Sequence, residues 1–146
     1  MKHRLYEEIA WQADMAYEAL QQLPKAGTES KPVTAFRGEK TSAFMGPRLA
    51  KRVWAKGKRL RQFMSFSRDE ATTHHFQGGK GRGLLIVAKL VGKYARDIAP
   101  FSAAIHETEI LLPPGARLAP LKEEEAAKEA ADMKVDKDRT VFVEEV

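Results

Sequence analysis

The chain has 146 residues and a formal net charge of +5, from 25 Lys and Arg against 20 Asp and Glu. A 43% apolar fraction can build one modest core, and the length suits a single domain, 1–146. The absence of cysteine excludes a disulfide scaffold, a thiol nucleophile and thiolate zinc sites, and no apolar run approaches the roughly 18 residues of a membrane span.

The opening MKHRLYEEIAWQ carries acids and no long apolar stretch, unlike a secretory signal. Leu5, Ile9, Met15, Ala16, Ala19, Leu20 and Leu23 recur at roughly helical spacing, and Pro24 with Gly27 ends that helix. Residues 24–32 read as a loop. Val33–Phe36 is a short β-favouring run with Pro32 at its mouth. A helix from about Phe44 to Lys56 follows, expected to turn Leu49, Val53 and Trp54 inward and its cations outward, with Gly57 as its stop.

Beyond this point the pattern becomes strand-like. Arg61–Ser67 alternates apolar and polar residues, and Asp69–Phe76 suits one or two helical turns. Gln77–Gly83 is a glycine-rich turn before the aliphatic run Leu84–Leu90, a buried strand by composition. A loop about Tyr94–Ala104 leads to a strand from Glu107 to Leu112, closed by Pro113-Pro114-Gly115. Leu121–Met133 has high helix propensity but a weak apolar face, so an exposed helix or a mobile excursion is expected. Thr140–Val143 is a last strand. Helices followed by many short strands indicate an α+β fold with a largely antiparallel sheet: a helical part over about 1–57, and a β core over about 58–146 joined by strand 33–37.

The net charge hides an asymmetry. Residues 1–106 hold 19 basic and 9 acidic side chains, whereas residues 107–146 hold 6 and 11. Lys40, Arg48, Lys51, Arg52, Lys56, Lys58, Arg59 and Arg61 fall in one stretch that contains no acid. Such a stretch attracts a polyanion, a phosphate-bearing ligand or an acidic partner, or is simply a solvated helix face.

Glu107-Thr-Glu109 opens a strand, where residues two apart project from the same face and can share one cleft. Neighbouring carboxylates raise one another's pKa and can divide into a stabilising anion and a proton acceptor. The four histidines are not read as a metal site: adjacent His74 and His75 diverge by about 100° on a helix. The run Gly78–Gly83 precedes a strand instead of opening a helix, which disfavours a Rossmann dinucleotide loop.

Three elements in order give a resemblance. Phe36-Arg37-Gly38, then Phe63-Met-Ser65-Phe-Ser67 followed by Ala71 and Phe76, then Asp97-Ile-Ala-Pro-Phe101-Ser102 with Glu107-Thr-Glu109-Ile-Leu-Leu-Pro-Pro-Gly115, cover about residues 33–118. The chain resembles the arginine-type mono-ADP-ribosyltransferases, which carry Arg, Ser-x-Ser and Glu-x-Glu in that order. It departs from the common pattern at Phe66, where Thr is frequent, and at Arg68-Asp69, where small polar residues are usual.

The resemblance implies a split, mostly antiparallel sheet around an NAD cleft, behind N-terminal helices. It implies Glu109 as the carboxylate facing the ribose cation, Ser65 as the residue orienting it, and Glu107 as the group that polarises or deprotonates the acceptor. Arg37 would hold the pyrophosphate or ribose through its fork of donors. Gly38 would allow close approach of the carboxamide. Ser67, Phe76 and Arg82 would complete the NAD contacts, and Phe101 would face the acceptor.

NAD is then a substrate, with no metal involved. The expected acceptor is a protein arginine, with RNA as the alternative through the basic stretch, and a non-catalytic basic nucleic-acid-binding module as a distant third reading. The resemblance further implies the toxin end of a larger delivered effector, of the bacterial polymorphic (Rhs or type VI secretion) kind. Such an effector acts in the target-cell cytoplasm without entering the membrane, and a cognate immunity protein neutralises it.

Overall fold

Apolar side chains at the successive positions Leu84–Ala88 can all be buried only in a strand covered on both faces, and this strand forms the centre of the molecule. The computed structural model describes residues 17–40, 46–70, 83–98 and 109–146. Its elements are β1 (Val33–Lys40), α1 (Pro47–Trp54), β2 (Lys58–Arg59), β3 (Met64–Ser67), β4 (Gly83–Leu90), β5 (Arg96–Asp97), β6 (Glu109–Leu112), β7 (Arg117–Pro120), α2 (Glu123–Met133) and β8 (Thr140–Glu145). Residues 17–21 are helical and run into the turn at Pro24, as the sequence suggests. The earlier part of that expected helix lies outside the described residues.

The strands form one eight-stranded sheet in the order β2-β7-β8-β4-β1-β3-β6-β5. Neighbours are antiparallel except β4 and β8, which run parallel. β1 and β4 pair along their whole length, from Val33 opposite Leu90 to Lys40 opposite Gly83. β1 and β3, by contrast, are joined only at Phe36 opposite Ser67. That single pair divides the sheet into a large part ending at β1 and a small part made of β3, β6 and β5.

Alternation along β4 separates two cores. Leu84, Ile86, Ala88 and Leu90 face Ala35, Phe66, Ile110, Leu112 and Trp54 of α1. Leu85 and Val87 face Phe36, Phe142, Leu121 and Ala130 of α2. The α2 helix is therefore a packed element and not a loose excursion. Its apolar face is narrow because alanines compose it: Ala130 is buried and Ala126 and Met133 are partly buried. Gly115, in the left-handed region, closes the turn after β6.

The expected inner face of α1 needs correction. Ala50 and Trp54, one turn apart, point inward, while Leu49 and Val53 are 46% and 50% exposed. The helix starts at Pro47, and the large indole fixes its rotation. Residues one position earlier in each turn then rotate by about 100° to the outside.

A second buried feature supports the small part of the sheet. Glu145, 4% exposed at the end of β8, accepts hydrogen bonds from the backbone N–H groups of Val91 (2.8 Å), Gly92 (3.0 Å), Tyr94 (2.6 Å) and Ala95 (2.9 Å). Arg96, 5% exposed, donates through Nη1 to the carbonyls of Gly92 and Ala95, and through Nη2 to Gln21. The 91–95 loop is thus held with its N–H groups on a carboxylate and two of its carbonyls on a guanidinium. Gly92 has φ +77°, and a Cβ there would collide with the Gly27 carbonyl. The loop leads into β5, which flanks β6.

Candidate active site

β1, β3 and β6 are neighbours, so the sheet gathers the three sequence elements that lie far apart in the chain. Phe66 is buried, which sends Ser65 and Ser67 to the opposite face of β3. Ser67 sits directly across from Glu109, and Ser65 across from Leu111, so Ser65, Ser67 and Glu109 share one face. Glu109 is half-buried, and its backbone carbonyl accepts from Ile98 N–H at 3.1 Å. The first residue of β6 is therefore braced from both flanking strands.

The two serines differ in their local bonds. Ser67 Oγ accepts from Asp69 N–H at 3.0 Å and approaches the Asp69 carbonyl at 3.4 Å, closing a side-chain turn at the end of β3. The Ser65 hydroxyl has no partner among the described residues, and neither serine bonds the Glu109 carboxylate directly. Arg68 and Asp97, on opposite sides of β6, form an ion pair at 3.2 Å.

Arg37 lies one residue beyond the joint at Phe36, so alternation puts its side chain on the Ile86 side of the sheet, opposite to the serines. Its guanidinium reaches back across the joint: Nη1 donates to the Ser65 carbonyl at 3.0 Å, and Nε to Glu39 Oε1 at 3.4 Å. Nη2 has no partner among the described residues. Gly38, opposite Leu85, follows it on β1.

Arg37 also lines a cleft of about 810 Å³ with Gly57, Lys58, Arg59, Leu60, Arg61, Gln62, Phe63 and Met64. That volume falls within the range of small-molecule sites, about 300–1,000 Å³. Four of the lining side chains are cationic and none is acidic, so the cleft suits an anion. A dinucleotide pyrophosphate fits this donor set: Arg37 is half-buried and fixed, with one nitrogen unspent. Among the described residues no group of His, Cys, Asp and Glu is arranged to hold a metal. No helix among them is long and apolar enough to cross a membrane.

Glu107, Phe76, Arg82 and Phe101 lie outside the described residues. The sequence reading did not single out Glu39, which bonds Arg37, or Gln62, which lines the cleft. Glu39 had a usable signal, being two residues from Arg37 on a strand and so on the same face.

The architecture is the ADP-ribosyltransferase fold, in an α+β form with a mixed sheet. Among solved structures, the chain is similar to the Vis toxin, an ADP-ribosyltransferase from Vibrio splendidus, with TM-score 0.61 and 21% identity over 96% of this chain and 58% of that one. A structure of Vis with agmatine matches with TM-score 0.59 at 19% identity, over 96% of this chain and 59% of that one. The Clostridium limosum C3 exoenzyme matches with TM-score 0.60 at 15% identity, over 96% of this chain and 70% of that one. HopU1, an ADP-ribosyltransferase of Pseudomonas syringae pv. tomato, matches with TM-score 0.55 at 17% identity, over 79% and 45% of the two chains. The chain thus spans about 58% of the length of Vis. No family model matches the sequence, and no curated protein matches it.

Proposed function

We propose that this chain is an NAD-dependent mono-ADP-ribosyltransferase, acting as a toxin or effector domain on a protein arginine of a target cell. The observation that carries the reading is the adjacency of β1, β3 and β6 within this fold: Ser65, Ser67 and Glu109 share one face, and Arg37, bonded across the β1–β3 joint to the Ser65 carbonyl, lines a cationic cleft. Arg37, with Gly38, Ser65 and Ser67, holds the donor, and Phe76 and Arg82 extend that contact.

The reaction breaks the bond between ribose C1′ and the nicotinamide nitrogen. The electron pair leaves with nicotinamide, and C1′ gains oxocarbenium character. Glu109 supplies a fixed negative charge where that positive charge develops, as carboxylates do at glycosidic centres. Ser65, on the same face and without a hydroxyl partner among the described residues, is the residue assigned to orient Glu109 once the donor is bound. A guanidinium nitrogen then bonds to C1′, and Glu107 takes the proton it sheds. The guanidinium pKa, above about 12, makes such a base necessary at close range. Phe101 contributes to acceptor contact. The agmatine bound to Vis is a guanidinium compound, which favours a guanidinium acceptor here.

A second reading, transfer to RNA, is favoured by the surface of α1 and β2. Arg48, Arg52, Lys56, Arg59 and Arg61 are exposed, and no acid lies between them. A cognate immunity protein and delivery as part of a larger polymorphic effector complete the proposal. The deciding experiment is incubation with labelled NAD and target-cell lysate, followed by protease or ribonuclease. Label lost to protease supports a protein acceptor. Label lost to ribonuclease alone replaces it with RNA. No transfer of label in any fraction, with no nicotinamide released, would refute the enzyme assignment.

A further inference from the structure

Trp54 is 2% exposed, and a buried indole requires an acceptor for its N–H. Glu39 provides it: Trp54 Nε1 donates to Glu39 Oε2 at 3.4 Å, while Glu39 Oε1 accepts from Arg37 Nε at 3.4 Å. Against the same indole lies Lys58, with Nζ 4.6 Å from the ring centroid. Arg37 and Lys58 both line the cleft. One buried side chain therefore anchors two cleft cations, one through a carboxylate and one through its ring face.

Among the described residues Lys58 is held without an ion pair, whereas Arg37 is paired with Glu39 and keeps donors to spare. Arg37 uses Nε and Nη1 on Glu39 and the Ser65 carbonyl, which leaves Nη2. Lys58 forms no ion pair among the described residues, and an aromatic face attracts an ammonium while leaving its charge intact. Arg59 and Arg61 also line the cleft, but they are exposed and no comparable contact fixes them among the described residues. Fixing a long cationic side chain in advance removes part of the ordering cost of binding an anion.

We propose that Lys58 is a second ligand for the donor's phosphates beside Arg37, and that Trp54 and Glu39 are positioning residues that hold both cations at the cleft. A pyrophosphate carries two negative charges, which one planar fork and one compact ammonium can match from adjacent directions. The proposal rests on the reading that this cleft takes NAD.

The test measures ADP and nicotinamide binding to the full chain by calorimetry, with KM and kcat for nicotinamide release measured in parallel. ADP carries the pyrophosphate, whereas nicotinamide carries no phosphate. Lys58→Met should weaken ADP about tenfold, the loss of one charge-assisted contact, and leave nicotinamide unchanged. Trp54→Phe should weaken ADP a few-fold and raise KM for NAD with kcat nearly constant. Phe retains the ring beneath Lys58 while removing the N–H.

Lys58→Met and Trp54→Phe with wild-type ADP affinity, beside an Arg37→Met variant that loses it, would overturn the proposal and leave the donor cleft standing. Wild-type ADP affinity in Arg37→Met as well would overturn the donor cleft itself. Equal weakening of ADP and nicotinamide by Lys58→Met would also overturn the proposal, since the loss would not follow phosphate charge.

Discussion

Replacing Glu145 by Gln alters two atoms at the buried end of β8, and the structure sets the size of the effect. Each carboxylate oxygen accepts two backbone N–H groups of the 91–95 loop, at 2.6–3.0 Å. Glutamine retains one oxygen and turns an NH₂ group toward the other pair of donors. Two charge-assisted bonds are lost, and two N–H groups are left without an acceptor. An orphaned buried donor costs about 1–3 kcal/mol, and the two losses overlap because both lie in one loop. The variant should lose about 3 kcal/mol, a large share of the roughly 5–15 kcal/mol expected for a domain. That corresponds to a fall of about 10 °C in Tm for a chain of this length.

Thermal and urea unfolding followed by circular dichroism measure the loss. Glu144→Gln is the control: Glu144 is half-buried and adjacent in sequence, and it should change stability by less than about 0.5 kcal/mol. Because the loop leads into β5 and Ile98 N–H braces the Glu109 carbonyl, amide exchange at Ile98 should also quicken in Glu145→Gln. Equal stability of Glu145→Gln and Glu144→Gln would refute the clamp.

Two further predictions concern the acceptor and the α2 tether. Glu107→Gln should reduce transfer to arginine far more than nicotinamide release to water, measured in parallel; an equal fall in both would place Glu107 with the donor. Lys89 on β4 meets Glu129 on α2 at 2.9 Å, and that hydrogen bond holds the Lys89 ammonium above its ordinary pKa of 10.5, against a smaller opposing effect of burial. Because the folded pKa is raised, the pair's contribution is fully present below about pH 10.5 and is lost as pH rises through the folded value. Glu129→Gln should therefore cost up to about 1 kcal/mol, constant from pH 6 to 9, because both partners are about one-third exposed. A cost that varied across that window in urea titrations would contradict this.

Much of the fold was legible because its signals are local. Leu84–Leu90 reads as a strand from composition, and the resemblance carried by Arg37, Ser65-x-Ser67 and Glu109 implied the split sheet. Strands of two residues, such as β2 and β5, carry too little pattern to be seen. β7 contains Pro120, which argues against a strand, yet it pairs with β8 because its proline lies at the strand end. The rotation of α1 was misread because Leu49 and Val53 outrank Ala50 in hydrophobicity, whereas the volume of Trp54 decides which side is buried. The Glu145 clamp was invisible for a different reason. A carboxylate satisfied by four backbone N–H groups leaves no mark in the side-chain pattern of the loop it holds. The Arg37–Glu39–Trp54 connection joins a strand to a helix, so only the tertiary structure brings it together.

The assignment of a transferase centre on β6 is tested most directly by nicotinamide release from NAD in Glu109→Gln. The substitution keeps size and hydrogen-bonding capacity and removes the charge proposed to face C1′. Loss of a preorganised electrostatic contact of this kind typically lowers kcat by about 10²–10³. The account predicts that fall with an unchanged melting profile and ADP affinity within about twofold of wild type, since the phosphate cations are untouched. Near-wild-type nicotinamide release by a folded Glu109→Gln protein would contradict it.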